Sequence, residues 1–178
     1  MPPLGTRHHL GVSIGIPEPH CTELQTWRER LGDPNAADIP PHVTLVPPTG
    51  HGSADLPVIE RHLTEVAELF RPFRLHLRGS ATFRPVSPVV FVPLVQGIAE
   101  CELLEKAVRQ GPLAGELAFT YHPHVTVAHE LDEPSLDIAF ESLAVFEAAF
   151  QVTGFSLYER SDAGVWRPLT AFTFGTRE

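Results

Sequence analysis

At 178 residues with 43% hydrophobic content the chain can bury a real core, and its formal charge of −9 excludes a broad electrostatic grip on duplex DNA, which needs clustered Lys and Arg. No apolar run approaches the roughly 20 residues that span a bilayer, and Met1 to Leu10 lacks the apolar stretch of a secretory leader, so a cytoplasmic protein without membrane contact is expected. The 18 prolines and 13 glycines are spread as punctuation between short elements, which favours a single unit over residues 1–178, and Cys21 and Cys101 lack the C-x-x-C spacing of a redox or metal motif.

In chain order, His8 to Ile16 alternates Leu10, Val12, Ile14 and Ile16 against small or polar partners, the pattern of a half-buried strand. Cys21 to Leu31 carries Leu24, Trp27 and Leu31 at helical spacing and ends at Gly32 to Pro34. Ile39 to Val46 is a short strand closed by Pro47 and Pro48, and Leu56 to Phe70 is a helix with Ile59, Leu63, Val66, Leu69 and Phe70 inward. Phe73 to Phe83 and Pro88 to Val95 read as paired strands around an Arg84 to Ser87 turn. Ile98 to Val108 is helical, Tyr121 to His129 is a strand, and Pro134 to Phe146 is a fourth helix. Phe150 to Tyr158 and Val165 to Phe174 form a closing hairpin about Ser161 to Gly164.

This order predicts an α+β fold and a bilobal, pseudo-symmetric duplication. Each half has two helices with a P-H-V-T strand between them. Short strands and hairpins favour mostly antiparallel sheets around a central cleft, with helices packed outside.

The repeated segments are Pro41-His42-Val43-Thr44-Leu45-Val46 and Pro123-His124-Val125-Thr126-Val127-Ala128. Strand side chains alternate between faces, so His42 and Thr44 share one face and Val43 and Leu45 take the other; the second copy does likewise. If the strands are equivalent, two imidazoles and two hydroxyls converge. That set suits metal-free phosphodiester chemistry: a neutral imidazole takes a proton from water, an imidazolium donates one to the leaving oxygen, and hydroxyls donate to the non-bridging oxygens.

The paired H-x-T strands, 82 positions apart, resemble the two-histidine (2H) phosphoesterase superfamily, in particular its bacterial 2′-5′ RNA ligase or RNA 2′,3′-cyclic phosphodiesterase branch. The chain length, the opening strand and the GSATFRP segment ahead of an apolar strand fit the same family. The resemblance implies catalysis by His42 and His124, phosphate binding by Thr44 and Thr126, and no metal or organic cofactor. It implies as partner a nucleotide or RNA terminus carrying a cyclic phosphate, opened to a 2′-phosphomonoester, with 2′-5′ ligation as a related activity. By analogy His124 is the base and His42 the acid. A monomer is expected. Two departures weaken the substrate assignment more than the chemistry: the RNA ligase branch often has an arginine where His129 stands and a phenylalanine where Pro47 stands.

Further candidate substrate contacts are Arg84, near a phosphate, Phe83 and Tyr121, as platforms for a base, and His129. The plainer reading makes Arg84 a solvated hairpin residue and the two aromatics edges of the core. Two other functions stay open. One is a metal-dependent phosphohydrolase using the H-x-H pair His122 and His124; the other is a catalytically silent nucleotide or RNA-binding module.

Overall fold

The structure, a computed structural model, describes residues 7–175. Among these residues nine strands and four α-helices follow one another: β1 (Arg7–Gly15), α1 (His20–Arg30), β2 (His42–Gly52), α2 (Leu56–Leu69), β3 (Phe73–Arg78), β4 (Ala81–Thr82), β5 (Val89–Gln96), α3 (Ile98–Val108), β6 (His124–His129), α4 (Glu133–Ser142), β7 (Glu147–Val152), β8 (Gly154–Arg160) and β9 (Trp166–Thr173). Among these residues no helix is long and apolar enough to cross a membrane.

Every strand pairing is antiparallel. One sheet has the order β2-β1-β8-β9. In the other, β5 pairs with β6 along one edge and with β3 and β4 along the other, and β7 closes the far side of β3. The units β1-α1-β2-α2 and β5-α3-β6-α4 therefore correspond, which is the expected duplication. Each motif strand is an edge: β2 pairs only with β1, and β6 only with β5. The helices cross over, α1 packing on β6 and α3 on β2, so each half covers the motif strand of the other.

The inner faces of both sheets and helices α1, α2 and α3 share one core, which includes Leu10, Val12, Ile14, Leu24, Ile59, Leu63, Leu75, Val92, Leu104 and Val125. Each fully buried aliphatic side chain is worth roughly 1.5–3 kcal/mol. A smaller cluster of Val90, Ala128, Leu136 and Ala139 seats α4 against β5 and β6. Leu69, expected inward, is exposed at the end of α2. Asp132 caps that helix, its carboxylate accepting from the Ser135 N–H at 2.8 Å.

The structure revises four boundaries. Strand β2 runs through Pro47 and Pro48 to Gly52 instead of stopping at them, because an edge strand loses no sheet hydrogen bond to a proline whose missing N–H would face outward. The expected Phe73 to Phe83 strand breaks into β3 and β4 at Gly79, whose φ of 74° leaves the strand region. Strand character in the second motif begins at His124, since Pro123 cannot donate to a ladder. Finally, Phe150 to Tyr158 is not one strand: the chain leaves the second sheet at Val152 and joins the first at Gly154.

That change of sheet depends on close approach. A Cβ on Gly154 would lie 2.1 Å from the Phe172 carbonyl oxygen in the paired strand β9. Gly154→Ala is therefore expected to destabilise the fold by about 1–3 kcal/mol, read as a lowered midpoint in thermal or urea unfolding.

Candidate active site

The two motif strands carry the same irregularity at the same place. In the first sheet Gly15 pairs with His42 and Ser13 with Thr44, after which the register slips so that Val12 meets Val46. In the second, Pro93 pairs with His124 and Phe91 with Thr126, and Val90 meets Ala128. Each strand thus inserts one extra residue, Leu45 or Val127, just past its threonine. A bulge of this kind twists the strand and re-aims its side chains. Here it lets Val43, Leu45 and Val46 all stay buried while His42 and Thr44 keep to the other face, and the second copy does the same.

Both imidazoles are oriented by the same bond. His42 Nδ1 lies 2.7 Å from the Pro40 carbonyl, and His124 Nδ1 lies 2.6 Å from the His122 carbonyl, in each case the residue two before the histidine. A carbonyl only accepts, so Nδ1 carries the hydrogen and Nε2 of the neutral ring is left with its lone pair pointing away from its own backbone. At His42 that lone pair accepts from the Thr44 hydroxyl at 3.0 Å. Strands β2 and β6 are in contact, and Tyr121, just ahead of the second motif, donates its hydroxyl to the Thr44 carbonyl at 2.8 Å, joining the two halves beside the first motif.

Burial sets the charge state. It holds His42 down to about 4, against the pull of the Pro40 carbonyl, and the positive charges of Arg28 and His124 add to the lowering. His124 is lowered too, mainly by burial, with its bond to the His122 carbonyl opposing and the His122 charge assisting. Both rings are therefore neutral at pH 7 in the free protein, and the two feel each other electrostatically.

The remaining sequence candidates separate. Phe83 lies edge-on to His124 at 5.2 Å between ring centroids and against Phe91 at 4.3 Å, so it lines the second histidine. His129 pairs with Val89 at the end of β6, exposed, on the same face as Phe91 and Thr126, with Nε2 3.8 Å from Glu130. Arg84 turns to α4, where one guanidinium nitrogen meets Glu133 at 3.0 Å and Asp137 at 2.8 Å. Those carboxylates make it a tie between the β4 turn and α4. Tyr121 is likewise committed through its hydroxyl, its ring packed against the core. His122 is exposed with its ring 5.7 Å from that of His124, and among the described residues no three His, Cys, Asp or Glu side chains gather as metal ligands.

Two neighbours of His42 carried no sequence signal. Trp166, at the start of β9, lies 4.2 Å from the His42 ring. Arg28, only 5% exposed, reaches from α1 into the 33–40 loop, where it bonds Asp33 at 3.2 Å and donates to the Ile39 carbonyl beside Pro40. A charged residue in an amphipathic helix reads as solvated, and only the folded loop shows that Arg28 is enclosed. Arg28→Met strands the Asp33 carboxylate, which is about 10% exposed, and frees the loop that presents Pro40. It is expected to cost about 3 kcal/mol in denaturant unfolding.

Comparison with known proteins agrees with this architecture. The model of the 2′-5′ RNA ligase superfamily matches residues 16–164. Two curated relatives, each carrying the name "Putative phosphoesterase", are a Bacillus cytotoxicus protein, 32% identical over 70% of this chain and 71% of its own, and one from Halalkalibacterium halodurans, 28% identical over 96% and 99%. Among solved structures, apo E. coli LigT superposes with a TM-score of 0.69 at 22% identity, covering 97% of this chain and 100% of LigT. A Thermus thermophilus protein, TT0787, gives 0.62 at 22% identity, covering 95% and 100%. LigT has also been crystallised with 3′-AMP, and that form superposes with a TM-score of 0.67 at 17% identity over 96% of this chain and 100% of LigT. Its sequence and its duplicated fold together place the chain in the 2′-5′ RNA ligase superfamily of two-histidine phosphoesterases.

Proposed function

We propose that the chain is a phosphodiesterase that opens a nucleotide or RNA 2′,3′-cyclic phosphate to a 2′-phosphomonoester, with His42 and His124 as its acid-base pair. One observation carries this reading: two equivalent bulged edge strands, in contact, each present an imidazole whose Nδ1 is held by the carbonyl two residues back. Nucleotide complexes of LigT, with 3′-AMP, NADP+ and ATP, support a nucleotide ligand.

In the proposed reaction water attacks phosphorus and gives its proton to Nε2 of one histidine. The bond from phosphorus to the 3′ oxygen breaks, and that oxygen takes the proton held on Nε2 of the other. Thr44 and Thr126 donate to the non-bridging oxygens, where negative charge accumulates. The Thr44 hydroxyl, free to rotate, exchanges His42 for phosphate as the substrate arrives. Two neutral imidazoles hold no proton to give, so the acid must be charged on binding; an anionic phosphate between the rings supplies that bias. An RNA 5′-hydroxyl in place of water gives a 2′-5′ bond by the same two transfers. We place the whole reaction in a single unit acting alone, on the chain's own residues.

The test is hydrolysis of the four nucleoside 2′,3′-cyclic phosphates and of a cyclic-phosphate-ended oligonucleotide, with and without chelator. Turnover should survive chelator and fall at least about 100-fold in His42→Ala and in His124→Ala. Loss in chelator would favour the metal-dependent reading through His122 and His124. Absence of turnover on every cyclic phosphate would leave a binding module. Wild-type rates in both variants would end the acid-base assignment.

The pH profile follows from the lowered histidines. The active form has one proton on the pair, and in the free protein both rings ionise below the ordinary histidine value of about 6.5. Thus kcat/KM should rise as pH falls through and below the ordinary histidine range, as the pair gains one proton, and drop again once both rings are protonated. A profile flat across that range would contradict the pairing.

A further inference from the structure

Trp166 is the residue nearest the candidate site that the mechanism above leaves without a task. Its indole stacks on the Tyr158 ring, with centroids 3.6 Å apart and an interplanar angle of 12°, and meets the His42 ring at 4.2 Å and 45°. The parallel Tyr158 ring takes one side of the indole and His42 meets it from the other, so the half-buried indole is engaged on both sides.

The rest of the stack is fixed from behind. Tyr158 is 3% exposed and pairs with Gly11, where a Cβ would come 2.3 Å from the tyrosine hydroxyl. That hydroxyl finds no hydrogen-bond partner among the described residues, so the ring is there for its shape. Trp166 opens β9 directly after the turn closed by Ser161 N–H to the Val165 carbonyl at 2.9 Å and by Gly164 N–H to the Ser161 carbonyl at 2.9 Å. Its backbone N–H donates to the Asp38 carbonyl at 3.0 Å, in the loop whose Pro40 carbonyl holds His42 Nδ1. The indole and the carbonyl that orient His42 are thus tied to one segment.

We propose that Trp166, locked between His42 and a Tyr158 ring that lies on the bare backbone of Gly11, is a positioning residue that fixes the plane of the His42 imidazole. The value of that role in catalysis rests on His42 being one of the acid-base pair. The bonds of Nδ1 to the Pro40 carbonyl and of Nε2 to the Thr44 hydroxyl hold the ring along its edge, and the second is given up when phosphate takes that hydroxyl; the indole against the ring restrains its tilt throughout. The charges acting on His42 are those of Arg28 on α1 and His124 on β6.

The chain has two tryptophans, so Trp27→Phe leaves Trp166 as the only indole and makes its emission a reporter. Protonated imidazole in contact with indole quenches its fluorescence. The emission of the Trp27→Phe protein should fall in one step as pH is lowered through the ionisation of His42. Adding His42→Asn should abolish the step, adding His124→Asn should keep it, and adding Tyr158→Phe, which preserves the stacked ring, should keep it too. A step that survives His42→Asn overturns the proposal.

With a cyclic phosphate as substrate, Trp166→Leu should lower kcat about 10- to 100-fold with KM within a few-fold, and Trp166→Phe should recover most of the loss. Gly11→Ala, which displaces the Tyr158 ring that backs the indole, should lower kcat in the same sense. A rise in KM at unchanged kcat in Trp166→Leu would instead make the indole a substrate platform and overturn the positioning role. Should no cyclic phosphate be turned over while the emission step behaves as expected, the proposed reaction fails and the placement of His42 by Trp166 stands.

Discussion

A single hydrogen bond, made twice, governs this site: ring Nδ1–H to the carbonyl two residues earlier. An imidazole alone is ambiguous, because either nitrogen can hold the proton and the ring can turn. The carbonyls of Pro40 and His122 remove the ambiguity, since each can only accept. They do so because Pro41 and Pro123 intervene. Proline fixes its own φ and biases the residue before it toward extended backbone, so the preceding carbonyl is presented in a defined direction. The P-H dipeptide is a device for setting a tautomer, and the neutral state of both rings at pH 7 keeps that tautomer populated.

The second constraint is placement at sheet edges. A histidine in the middle of a sheet faces neighbouring side chains on both flanks, whereas β2 and β6 each have one unpaired flank and lie against each other. Exposed edges invite pairing with other chains. Here Pro47 and Pro48 blunt the outer part of β2, the bulges at Leu45 and Val127 twist both strands, and the crossed helices α1 and α3 cover the motif strands. The features that let the two strands meet are the ones that stop either from acting as a template.

Much of this was legible in the sequence, and the misses share a cause. The two H-x-T strands, the four helices, the duplication and the terminal hairpin follow from periodicity and repeated context. What periodicity cannot register is a change of partner. Phe150 to Tyr158 keeps its alternation while the chain passes from one sheet to another at Thr153, because a strand looks the same locally whichever sheet it joins. Prolines at 47 and 48 read as a stop because edge placement is a tertiary fact. Arg84 read either as a phosphate contact or as a solvated hairpin residue, and its tie to α4 was hidden because the carboxylates it meets, Glu133 and Asp137, lie about fifty residues away in sequence. Arg28 and Trp166 went unseen for the same reason: their importance comes from what the fold brings to them.

The two half-sites are alike in backbone and unlike in wall. Across from Thr44 stands Ser13, flanked by Gly11 and Gly15 on the same strand, whereas Phe91 stands across from Thr126 with Phe83 beside it. The small residues of β1 leave space that Tyr158 fills, and Tyr158 in turn supports Trp166 against His42. On the other side Phe83 and Phe91 approach His124 directly. Identical walls would give the two histidines identical affinities for a proton, and an acid-base pair needs one ring that holds the proton and one that does not. Duplication supplies two equal bases; the divergence of the strands beside them, Arg28 near one ring and His122 near the other, makes them unequal. In the proposed reaction that inequality is what lets one ring hold the proton that the leaving oxygen takes while the other accepts one from water.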